Sequence, residues 1–71
     1  MEIEQEKFNI SMRKFLKKVG ITSQQKIEEA VKSEIERKKA LKNNIKVSVK
    51  LEIKEINLVH FIDGEICLKD N

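Results

Sequence analysis

The chain has 71 residues, of which 38% are charged and 39% hydrophobic, with a net charge of +3. That length bounds it to one domain with a thin core, and its two charge signs are interspersed as on a solvated surface, not gathered as in a nucleic-acid footprint. Only Arg13 and Arg37 of the 15 basic residues are arginine, the side chain that phosphate and base readers favour.

One cysteine, Cys67, leaves no partner for an intramolecular disulfide and suits a reducing compartment. The stretch from Met1 to Lys7 is acidic and polar, unlike a signal peptide, and no apolar run approaches a membrane span. The expectation is a cytoplasmic protein.

In chain order, residues 4–19 are predicted to form an amphipathic helix. Phe8, Met12, Phe15, Leu16 and Val19 fall on one stripe at helical spacing. Glu2, Glu4 and Glu6 stand near its start and Arg13, Lys14, Lys17 and Lys18 near its end, the polarity that the helix dipole favours. Gly20 then stands where a left-handed residue would close the helix, and Thr22 with Gln25 has the spacing of a capping box for a second helix. That second helix is expected over 23–41, with Ile27, Ala30, Val31, Ile35 and Leu41 on its inner stripe and Glu28–Lys32 and Glu34–Lys38 as ion pairs four residues apart.

The period then changes. Ile45, Val47, Val49, Leu51 and Ile53 alternate with polar residues and predict a strand over 45–53. A turn within Lys54–Asn57 leads to a second strand over 56–62, and Asp63-Gly64 signals a hairpin into a third strand over 65–69. A three-residue Ile62-Asp63-Gly64 loop is preferred to a two-residue Asp-Gly turn, because it lets Ile56, Leu58 and Ile62 share a face with strand one, Ile66 and Leu68. Val59 and Phe61 are then left on the far face.

Three constellations could carry chemistry. The helix, Gly-Ile-Thr-Ser corner and second helix resemble a DNA-binding helix-turn-helix. The apolar residue expected five positions after Ile21 is displaced to Ile27, however, and Glu28, Glu29, Glu34 and Glu36 would face phosphates badly. The lysine-rich helix ends, Arg13, Lys14, Lys17 and Lys18 with Arg37, Lys38, Lys39 and Lys42, offer weak polyanion contact, but no tyrosine or tryptophan accompanies them to stack bases. His60 and Cys67 could pair as an activated thiolate, yet no carboxylate cluster or glycine-rich loop supports them, and one chain supplies too few ligands for zinc.

The run from Phe8 to Gln24, the following Lys-Ile-Glu-Glu-Ala-Val helix and the closing Ile62-Asp-Gly-Glu-Ile66 resemble a family of small bacterial proteins known only as a domain of unknown function. The resemblance covers nearly the whole chain. It implies a two-helix, three-strand domain and carries over no activity and no catalytic residue. Relatives carry a glycine in the first hairpin turn where this chain has Glu55.

The sequence thus leads to one α+β domain over 1–71, a two-layer fold in the order ααβββ, with a helical hairpin packed on a three-stranded antiparallel meander. The expected function is a non-enzymatic protein-interaction domain, a homodimer or a partner of another protein, with no cofactor, no metal and no membrane. Its contact surface is expected at Val59 and Phe61 on the sheet or Ile3 and Ile10 on the helices. A nucleic-acid accessory role through the lysines is the alternative, and a Cys67/His60 enzyme subunit the remote one.

Overall fold

The structure, a computed structural model, describes residues 2–38 and 40–69. By its internal contacts the chain divides into two units, Met1–Lys39 and Ala40–Asn71. The first carries one α-helix, α1 (Gln5–Glu36), and the second an antiparallel pair of strands, β1 (Asn44–Ile53) and β2 (Leu58–Cys67).

The content remains α+β, but the helical hairpin and the three-stranded meander are both overturned. The 32 residues of α1 run without a break through Gly20, a length of about 48 Å at 1.5 Å per residue. No described glycine has a positive φ, so Gly20 does not close a helix. Thr22 does not cap one either, since its hydroxyl donates to the Lys18 carbonyl at 2.8 Å, the bond that a threonine makes one turn back inside a helix. An interior glycine costs a helix only about 1 kcal/mol relative to alanine, a penalty that a helix of 32 residues can carry.

Local pairs lace the helix surface. Lys7 meets Glu4 at 3.6 Å, Lys26 meets Glu29 at 3.7 Å and Arg37 meets Glu34 at 3.8 Å, all at three-residue spacing. Glu28 accepts a hydrogen bond from the Gln24 amide at 3.0 Å. The helix ends earlier than the sequence reading placed it. Arg37 donates its backbone N–H to the Ser33 carbonyl, Lys38 donates to the Ile35 carbonyl, and Lys38 takes a left-handed φ of 57°. The left-handed closing residue is therefore Lys38, and Ala40 and Leu41 lie beyond the helix.

In the second unit the turn is where alternation placed it. Lys54–Ile56 form one 3-10 turn and Asn57, at φ 53°, returns the chain into β2. Asparagine tolerates this left-handed conformation better than most side chains, so the turn closes without glycine. Ile56 sits in this turn and not in a strand.

The second hairpin does not form. Strand β2 continues straight through Asp63 and Gly64, which pair with Ser48 and Val47. Ten consecutive residue pairs, from Asn44 with Cys67 to Ile53 with Leu58, make the ladder, and Leu68 adds a bond from its N–H to the Asn43 carbonyl at 2.6 Å. A turn at Asp63-Gly64 would forfeit the outer pairs of this ladder. The unbroken strand also keeps Leu58, Ile62 and Ile66 on one pleat face, with no change of register.

Candidate interaction surface

Residues directly opposite in an antiparallel pair share a face. The register therefore puts Ile45 with Ile66, Val49 with Ile62 and Ile53 with Leu58 on one side of the hairpin, joined by Val47 and Leu51. Two positions interrupt this apolar face. Gly64 stands opposite Val47 and leaves a shallow depression, and His60 stands opposite Leu51. None of these side chains is buried, and Ile62 is 52% exposed.

Val59 and Phe61 lie on the other face, 52% and 59% exposed. Their cross-strand neighbours are Glu52 and Lys50, and Glu65 faces Lys46 nearby. Val59 and Phe61 are thus two apolar side chains on a charged surface, where the alkyl stems of the opposing residues can lie against them. The larger apolar surface is the opposite one, which sequence reasoning assigned to a core under the helices.

The helix carries a second apolar surface. Phe8, Met12, Phe15 and Leu16 are all exposed, while Val19, Ile27 and Val31 are half-buried. Because α1 is continuous, the two predicted stripes follow each other along a single helix as a band that winds around it, with Ile35 on the side opposite Phe8, about seven and a half turns away. Ile10 is 65% exposed on another side of α1. Ile3 precedes the helix, so its seven-residue spacing from Ile10 does not set a face. The helical neighbour of Ile10 is Ile21, eleven residues or three turns on, a relation hidden as long as Gly20 is read as a corner.

The other candidates separate. His60 and Cys67 are seven residues apart on one strand, so they point to opposite faces about 23 Å apart and form no nucleophile pair. The Cys67 thiol donates to the Lys69 carbonyl at 3.7 Å. Arg13, Lys14, Lys17 and Lys18 lie in the interior of α1 and not at its C-terminus, so the dipole does not account for them. Arg37, Lys38 and Lys42 follow the helix, and Lys39 lies outside the described residues. No group of three or more metal-ligating side chains occurs among the described residues, and no helix among them is long and apolar enough to cross a membrane.

Comparison with curated proteins and with solved structures finds no match. A family model does match, over residues 3–69, nearly the whole chain. The chain belongs to DUF6494, a family of unknown function.

Proposed function

We propose that this chain is a non-enzymatic protein-interaction domain of the cytoplasm that acts by self-association. One observation carries the reading: no described residue is buried, although 15 large hydrophobic side chains stand exposed. Burial of apolar surface is the dominant favourable term in folding, and a single copy gains little of it. A lone two-stranded hairpin is marginal in water, and most helical stability in proteins comes from packing an apolar face. Association supplies that packing. The α1 band and the Ile45–Ile66 face of the hairpin offer the largest contact areas, while Val59 with Phe61 and Ile10 offer smaller ones.

The test is the dependence of thermal stability on protein concentration. An associating fold melts at a higher temperature as concentration rises, because mass action favours the assembled state. A melting temperature that does not change between about 1 and 100 μM, the range over which a micromolar equilibrium would shift, would remove the proposal.

A further inference from the structure

The hydrogen-bond phase of the hairpin distinguishes its two edges as seats for a second copy, given the self-association proposed above. Leu68 donates its N–H to the carbonyl of Asn43, one step beyond the Asn44–Cys67 pair of the register. In an antiparallel ladder, hydrogen-bonded pairs alternate with pairs that are not. Ile45, Val47, Val49, Leu51 and Ile53 therefore bond inward to β2. Asn44, Lys46, Ser48, Lys50 and Glu52 turn their N–H and C=O groups outward, to an edge that no described strand covers. The same count puts Val59, Phe61, Asp63, Glu65 and Cys67 on the outer edge of β2.

The two edges differ in composition. Strand β1 contains no glycine and its apolar row is unbroken, as in a strand with neighbours on both sides. Strand β2 carries Asp63 and Gly64, residues that a central strand disfavours, and suits the outside of a sheet. They differ in charge as well. The outward positions of β2 hold Asp63 and Glu65 and no cation, so a second β2 offers neither an opposite charge. The outward positions of β1 hold both signs, in Lys46, Lys50 and Glu52.

We propose that two copies of this chain pair β1 with β1, antiparallel around a two-fold axis at Val49, to form one four-stranded sheet in the order β2-β1-β1-β2. Opposite residues of an antiparallel pair share a face, so only every second register keeps apolar against apolar. Two such registers give the longest overlap, over residues 44–52 or 45–53 of each strand. The first is centred on Ser48 and sets Lys46 of each copy against Lys50 of the other. The second is centred on Val49 and sets Lys46 of each copy against Glu52 of the other. Charge selects the second. Lys46 then lies between Glu65 of its own chain and Glu52 of the second copy. On the other face, Val49 meets Val49 at the axis and Ile45 meets Ile53, so the apolar face of the hairpin doubles. Pairing β1 with β2 of another copy also matches charges, but it leaves an edge open at each end and does not close.

Cross-linking tests this arrangement in full-length chains carrying Cys67→Ser, with the wild-type state of association measured in parallel. Lys46→Cys and Glu52→Cys chains, mixed and oxidised, are expected to give a covalent dimer, since their Cα atoms stand about 5.5 Å apart, within reach of a disulfide. Each alone is expected to give none, since residue 46 of one copy lies about 20 Å along the strand from residue 46 of the other. Proline supplies a second readout. The hairpin ladder does not use the N–H of Ser48. Ser48→Pro is therefore expected to keep the far-UV circular dichroism of the wild type and to weaken association at least about tenfold. Asp63→Pro, on the outer edge of β2, is expected to leave association unchanged. Wild-type assemblies larger than two that Asp63→Pro dissolves would overturn the two-fold in favour of an open array. A wild-type dimer with no cross-link in the mixture and no response to Ser48→Pro would overturn the β1 contact and leave self-association standing. A wild-type monomer would remove both proposals.

Discussion

At the scale of single residues, the conformations of four positions decide the fold. The two glycines do without the left-handed conformations that turns would ask of them, and Lys38 and Asn57 adopt them instead. Lys38 at φ 57° has a Cβ that crowds the following carbonyl, a cost of about 1–2 kcal/mol that glycine escapes. Lys38→Gly should therefore raise stability by about 1 kcal/mol in urea unfolding. Gly64 gives the opposite test. A Cβ there would meet Val47 Cγ1 at 3.7 Å, an ordinary contact, within extended backbone. Gly64→Ala is then expected to be neutral or to stabilise by up to about 1 kcal/mol. A loss of 1–2 kcal/mol would mean that Gly64 occupies a turn after all.

At the scale of elements, alternation and helical spacing were more informative than punctuation. Strand β1, the turn in Lys54–Asn57 and the helical character of the first half of the chain were all legible from period alone. The errors came from Gly20 and Asp63-Gly64, local signals of corners that the surrounding periodicity overrode. The evidence against the second hairpin was present in the sequence. Leu58, Ile62, Ile66 and Leu68 keep even spacing across Asp63-Gly64, as one straight strand requires. For the candidate surface, the placing of Val59 and Phe61 on the face away from Ile62 and Ile66 could be read from alternation, whereas the spacing of Ile3 from Ile10 set no face because Ile3 precedes the helix. The larger apolar face of the hairpin could not be read as exposed, because a two-layer fold assigns every such face to a core. Helix continuity has a direct test. Spin labels at Ser11→Cys and Lys32→Cys in a Cys67→Ser chain, diluted with unlabelled chains, should lie about 32 Å apart along one straight helix. Helices folded into a hairpin would bring them to about 10 Å.

At the scale of the whole molecule, the account turns on where the apolar surface goes. Natural monomers seldom leave so much of it in water, and the proposed self-association would cover it. The family assignment supplies no activity to compete with that reading, and the one cysteine and one histidine stand too far apart for joint chemistry. Sedimentation equilibrium of the full-length wild-type chain over about 1–100 μM tests the claim most directly, since that range spans a micromolar dissociation constant. The account predicts a mass that rises from one chain toward two or more across the range, or that is already a multiple of one chain at its lower end. A single-chain mass at every concentration, together with a cooperative unfolding transition, would contradict it.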